Sequence, residues 1–242
     1  MYGYVPQDLS KIYHNFTVIE NLFYFGGQYG LTEKEISSRS RRILRSLEIA
    51  DKKDEYVRNL SGGQKRRVSI AIGLIHNPTF LILDEPTSGL DPIIRESLWL
   101  TLIKINEQFH TTLIVITHYP EESRFCNYVA IFGRKRGMID YGKPKELLEQ
   151  LPGKGRSIEI IFEDIVSEAV EKLQKIEGIE KVLENKAGTE FSLFTGLSLE
   201  ILTKKIDDAI TDSKIKQITQ SDARMEQFFR YKSMEVPKVE EF

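Results

Sequence analysis

Two short, nearly unbroken apolar runs, Phe80-Leu81-Ile82-Leu83 and Leu113-Ile114-Val115-Ile116, most constrain what this chain can fold into. Runs of this length predict strands buried on both faces rather than the alternating strands of a half-exposed sheet. Between them, Pro92 to about Gln108 reads as a helix, and a third run, Tyr128-Val129-Ala130-Ile131-Phe132, follows a short helix. Such alternation predicts an α/β fold with a largely parallel sheet.

Upstream, Gly3-Tyr4-Val5-Pro6-Gln7 reads as the end of a strand passing into a loop, because Pro6 cannot donate to a central ladder. A strand at the first residues suggests that the sequence starts inside a fold. From Thr17 to about Asn59 the pattern is helical: Thr17 and Glu20 make a capping-box signature, and Ile36, Ile43, Leu44 and Leu47 recur at helical spacing. Beyond Pro144 and a helix at about 145–151, Pro152-Gly153-Lys154-Gly155 reads as a linker. The remainder follows the order β-α-β-β-α-β, the ferredoxin-like split unit. The expected organisation is a first domain at 1–151 with a helical subdomain at about 12–75, a small α+β domain at 156–232, and a tail at 233–242.

Charge narrows the partners. The 34 Lys+Arg are balanced by 36 Asp+Glu, so a duplex nucleic acid held by bulk electrostatics is not expected. The single cysteine, Cys126, allows no internal disulfide and is expected to be structural. No apolar stretch approaches the roughly 18–20 residues that cross a bilayer, and the first residues do not read as a signal peptide. Any membrane association is therefore expected to be peripheral.

Several short motifs carry chemistry. Leu60-Ser61-Gly62-Gly63-Gln64 opens a helix with a capping serine and two glycines, an arrangement that favours an anion such as phosphate at the helix N-terminus. A plain helix cap would have the same composition. Asp84 and Glu85 stand at the carboxyl end of an apolar strand, where open α/β sheets collect ligands, although turn chemistry also explains an Asp-Glu there. Asp84 would hold Mg²⁺ and Glu85 would polarise an attacking water. Asp91 and Pro92 read as the N-cap and first residue of a helix. His118 follows the second run, at the same sheet edge as the carboxylates.

In this order the motifs resemble the nucleotide-binding domain of ABC transporters over about residues 1–150. Gln7 matches the family's Q-loop, residues 60–64 its signature, residues 80–85 its Walker B strand with the catalytic glutamate, residues 88–91 its D-loop, and His118 its switch histidine. Lys65-Arg66-Arg67, Tyr119-Pro120-Glu121-Glu122 and the appended C-terminal domain are similar to ABC-2 type exporters. The resemblance implies a RecA-like P-loop NTPase core that binds ATP and Mg²⁺. It implies catalytic roles for Glu85, His118 and Gln7, and metal roles for Asp84 and Gln7. Nucleotide contacts are implied for Leu60, Ser61, Gly62, Gly63, Gln64 and Asp91. It also implies a homo- or heterodimer of ATPase subunits docked on an integral membrane permease, at the cytoplasmic face of the membrane.

One departure is large: no Gly-x-x-x-x-Gly-Lys-Ser/Thr occurs anywhere in the 242 residues. The expectation is an N-terminally truncated record of an exporter ATPase, inactive alone. The alternatives are a P-loop-less regulatory subunit that completes a partner's ATP site, or a soluble ABC ATPase outside transport. Arg39, Arg41, Arg42 and Arg45 are expected on a solvated helix face, and Gly133-Arg134-Lys135-Arg136-Gly137 in a charged hairpin turn. Of the aromatic residues Tyr13, Phe16, Phe23, Tyr24, Phe25 and Tyr29, at least half are expected in the core, while the resemblance places the others in a permease groove.

Overall fold

Alternation along the first strand sets the architecture of the N-terminal unit. In the computed structural model, which describes residues 1–133 and 137–235, β1 (Tyr2–Val5) buries Gly3 and Val5 and exposes Tyr2 and Tyr4. β1 pairs in parallel with β2 (Phe80–Asp84), and β2 in parallel with β3 (Thr112–Ile116). The chain between these strands forms helices α1 (Val18–Gln28), α2 (Glu33–Ser46), α3 (Gly62–Leu74) and α4 (Pro92–Phe109).

Capping chemistry fixes where the helices begin. The expected Thr17/Glu20 box opens α1, Ser61 and Gln64 form a box on α3, and Asp91 caps α4 through Ile93 N and Ile94 N. A further box, Thr32 with Glu35, starts α2, although its Thr-x-x-Glu spelling was equally visible in the sequence. Each box satisfies two helix-end N–H groups that would otherwise have no intrahelical partner.

Backbone contact then brings α3 onto the sheet. A Cβ on Gly3 would lie 2.3 Å from the Gly73 carbonyl oxygen, and one on Gly73 would lie 2.9 Å from side-chain atoms of both Leu81 and Val5. Because a backbone oxygen yields far less than a flexible side chain, Gly3→Ala is expected to destabilise this unit by about 1–3 kcal/mol. Urea unfolding followed by the fluorescence of Trp99, which is buried in α4, checks this; a change below about 0.5 kcal/mol would contradict the close approach.

Two sequence expectations are corrected here. The apolar strands are not buried on both faces: Phe80 is 46% exposed, Ile114 45% and Ile116 53%, while Leu81 and Leu83 on the opposite face are buried. Among the described residues helices cover only one face, and a uniformly apolar run cannot report which of its faces is covered. Second, the strand expected at 128–132 does not extend the parallel sheet. It is β4 (Val129–Gly133), paired antiparallel with β5 (Gly137–Gly142) in a separate two-stranded sheet. The charged turn expected at 134–136 lies outside the described residues, as does most of the expected tail.

After β5 come α5 (Pro144–Leu148), β6 (Arg156–Phe162), α6 (Ala169–Gln174), β7 (Ile179–Lys186), β8 (Glu190–Thr195), α7 (Leu199–Ala209), β9 (Ile215–Asp222) and α8 (Met225–Glu235). The sheet order is β7-β8-β6-β9 with every pair antiparallel, the ferredoxin-like arrangement expected from the element order. One core lies between this sheet and α6 and α7, where Phe191, Leu173 and Leu202 are buried. A second cluster joins Ile131 of β4 and Leu147 of α5 to Leu183, Phe194 and Phe228. Buried Gln227 of α8 adds polar bonds there, donating to Glu159 Oε1 at 2.7 Å and to the hydroxyls of Ser157 and Ser192 at 3.0 Å. That shared packing explains why the chain divides into compact units after His118 and not at the linker near residue 152. Apolar contacts group the β4–β5 hairpin and α5 with the second sheet, whereas Pro-Gly composition reports only a local turn.

Candidate functional site

Parallel pairing carries the ends of β1, β2 and β3 to one edge of the N-terminal sheet, the edge at which such sheets bind ligands. Asp84 closes β2. Glu85 follows with φ +42°, a left-handed backbone that costs a non-glycine residue about 1–2 kcal/mol. Its N–H donates to the Ile116 carbonyl at 2.8 Å, which anchors the turn to β3.

The Glu85 carboxylate lies between two side chains that the sequence placed far away. Gln7 Nε2 donates to Glu85 Oε2 at 2.7 Å, and His118 Nδ1 lies 2.9 Å from Oε1. With the carboxylate ionised, the Nδ1–H tautomer supplies the donor. Three of the expected site residues are thus brought together at one carboxylate. Both of its oxygens are fixed, which sets the plane in which Glu85 could accept a proton.

Asp84 has a partner that the sequence reading passed over. The Tyr4 hydroxyl donates to Asp84 Oδ2 at 3.0 Å, and this bond is the chief reason the phenol's pKa is raised. Register supplies the reason: Tyr4 stands opposite Ile82, and Asp84 lies two residues further along β2 on the same face. Nothing in the sequence gives that register, although the parity of an exposed Tyr in β1 is a usable hint.

The expected phosphate loop is a closed cap. Ser61 Oγ accepts from Gln64 N at 3.3 Å and Gln64 Oε1 accepts from Ser61 N at 2.9 Å, so both side chains are occupied locally. Leu60 was expected to contact nucleotide, but its side chain is buried in the core, leaving only its backbone for that role. Gly62 faces open space, and a Cβ on Gly63 would lie 3.0 Å from Ile94 Cγ2, which sets the N-termini of α3 and α4 side by side. Asp91 is taken up in capping α4.

Further along α3, Arg66 is only 5% exposed. Its guanidinium donates to the Pro6 carbonyl at 2.8 Å and the Gln7 carbonyl at 2.6 Å. Burial lowers its pKa while the charge of Asp8 opposes the shift. The neighbouring Arg67 instead bonds Leu47 O, Ser97 Oγ and Thr101 Oγ1, joining α3 to α4.

The aromatic residues after the first loop correct another expectation. None of the six is buried; Tyr13, Phe16, Tyr24 and Tyr29 are exposed, and Phe23 and Phe25 are half-buried. Tyr13 stacks on Phe16 at 5.1 Å and meets Tyr24 edge-on at 4.7 Å, so the rings pack on each other at the surface. Of the arginines in α2, Arg41, Arg42 and Arg45 are exposed as expected. Arg39 departs from that face, donating to Ile75 O at 3.2 Å.

Comparison with known proteins bears on this geometry. Residues 1–88, which hold Gln7, the capped glycine loop, Asp84 and Glu85, match the family described as ABC transporter. Over these residues the chain is similar to the ABC transporter family. The chain is 39% identical over 148 residues to a Nod factor export ATP-binding protein I of Cupriavidus metallidurans, covering 61% of this chain and 48% of that protein. It is 36% identical over 152 residues to the linearmycin resistance ATP-binding protein LnrL of Bacillus subtilis, covering 62% and 48%. A solved structure, cbiO1 of Clostridium perfringens, part of the ABC transporter complex cbiONQ, aligns with a TM-score of 0.57 at 33% identity. That alignment covers 61% of this chain and 59% of the other. The chain thus spans about half the length of the curated relatives it matches.

The mixed α/β core with parallel strands fits this similarity to ABC transporter ATP-binding proteins. Among the described residues no cluster of three or more His, Cys, Asp and Glu side chains forms a metal cage, and no helix is long and apolar enough to cross a membrane. The donor set suits magnesium, which takes one or two protein oxygens beside phosphate and water. Asp84 offers a carboxylate at the strand end. Gln7 uses Nε2 toward Glu85, so that bond leaves its amide oxygen for such an ion.

Proposed function

We propose that this chain is the ATP-hydrolysing subunit of an ABC export system, with hydrolysis at the edge formed by Gln7, Asp84, Glu85 and His118. The carrying observation is the Glu85 carboxylate held by Gln7 at 2.7 Å and His118 at 2.9 Å. Asp84 and the Gln7 amide oxygen would hold magnesium, which when bound neutralises charge on the phosphates. Glu85 takes a proton from the attacking water, and His118 holds Glu85 in the orientation for that transfer.

Gly62 and Gly63 at the start of α3 would offer backbone N–H groups to the phosphates of nucleotide bound by a second ATPase subunit. The exposed Tyr13, Phe16 and Tyr24 would anchor an integral membrane permease, placing the protein at the cytoplasmic face of the membrane. This site would require a Gly-x-x-x-x-Gly-Lys-Ser/Thr loop, which does not occur within the 242 residues.

Supplying that element tests the reading. The chain alone is expected to release phosphate from ATP at the buffer rate. Joining ahead of Met1 a strand, Gly-x-x-x-x-Gly-Lys-Ser/Thr loop and helix from an exporter ATPase is expected to raise the rate at least about a hundredfold. A folded joined chain that stays at the buffer rate would overturn the proposal.

A further inference from the structure

Buried charge that no step of hydrolysis uses is uncommon, and Arg66 is such a group. It is 5% exposed and its guanidinium spends two N–H donors on the consecutive carbonyls of Pro6 and Gln7. These carbonyls lie just past the strand ladder, which ends at the Val5–Leu83 pair. Pro6 has no N–H and a fixed φ, so the strand cannot continue its pairing through this position. The next anchor beyond the ladder is at Tyr13, whose N–H donates to Asn21 Oδ1 at 3.0 Å, so Arg66 holds the loop at a point between the two.

We propose that Arg66 is a positioning residue for Gln7: by clamping the Pro6 and Gln7 carbonyls to α3, it sets where Gln7 Nε2 meets Glu85. The inference rests on the proposed role of Gln7 and Glu85 in hydrolysis and adds a residue that touches neither carboxylate nor nucleotide. A planar guanidinium suits the task because its donors form a fixed fork that spans two neighbouring carbonyls, whereas an ammonium is a point charge. Leaving those carbonyls without donors frees the loop backbone, and Gln7 moves with it. Helix α3 is a firm base for the clamp, since Arg66 is followed by buried Val68, Ile70 and Ala71 in the same helix. The adjacent Arg67 bonds elsewhere, so the two arginines are not substitutes for each other.

The test reads the Gln7 side-chain amide in the ¹⁵N-labelled full chain without nucleotide, its signal identified by loss in Gln7→Ala. Arg66→Met is expected to shift that amide toward the position of a free glutamine and to speed its proton exchange at least about tenfold. The Trp99 indole signal should stay in place. Arg66→Lys, which keeps the charge but replaces the rigid fork with a single ammonium, is expected to fall between the parent and Arg66→Met. If Arg66→Met loses the folded Trp99 signal, Arg66→Lys decides by the same reading. A Gln7 amide unmoved in a folded variant overturns the proposal. Because no hydrolysis is measured, that failure is distinct from a failure of the joined chain to turn over ATP.

Discussion

Replacing Glu85 by glutamine is expected to lower steady-state ATP hydrolysis by about 10²–10⁴-fold in a chain supplied with a P-loop, while nucleotide affinity stays within about threefold. The substitution keeps the volume and the strand-end position but removes the base. It also breaks a symmetry seen in the structure. The carboxylate accepts from Gln7 Nε2 on one oxygen and, in the Nδ1–H tautomer, from His118 on the other. An amide can accept on one side only, so its NH₂ must face one of two donors. Single-turnover phosphate release measures the chemical step, and titration with a fluorescent nucleotide measures binding. A turnover rate within threefold of the parent would remove Glu85 from the role of base and move attention to His118.

The largest expected loss of stability comes from Phe191→Ala in the second unit, about 3–5 kcal/mol. Phe191 is fully buried, pairs with Ile160 across β6 and β8, and meets Phe162 edge-on with ring centroids 6.0 Å apart. Truncation removes a ring from the middle of the core between the sheet and its helices, where neighbouring Leu173 and Leu202 are already close-packed. Ile201→Ala on α7 is the control: Ile201 is exposed, so a change within about 0.5 kcal/mol is expected. Hydrogen exchange at the β6 and β8 amides as a function of urea gives both values. Equal losses in the two variants would contradict the placement of the core.

Much of the candidate site was legible because each residue stands at the end of a patterned element. Asp84 and Glu85 follow an apolar run, His118 follows another, and Ser61 caps a helix whose spelling is local. Arg66 and Tyr4 were not legible as site residues. Their partners are the carbonyls of residues 6 and 7 and the Asp84 carboxylate, 60, 59 and 80 residues away in sequence. The exposed aromatic patch was misread for a related reason: hydrophobicity gives a residue's preference for burial but not whether a neighbouring element is there to bury it.

The sequence by itself determined the helix starts, the strand segments, the β-α-β-β-α-β order of the second unit and the chemistry available at residues 7, 84, 85 and 118. These follow from local rules, in which a cap, a proline or an apolar period acts within a few residues. Tertiary structure alone decided that the β4–β5 hairpin stays out of the parallel sheet, that one face of that sheet is open among the described residues, and that Gln7 and His118 hold the two oxygens of Glu85. Those outcomes depend on strand register and on close backbone packing such as Gly3 against Gly73, long-range contacts that no local pattern encodes.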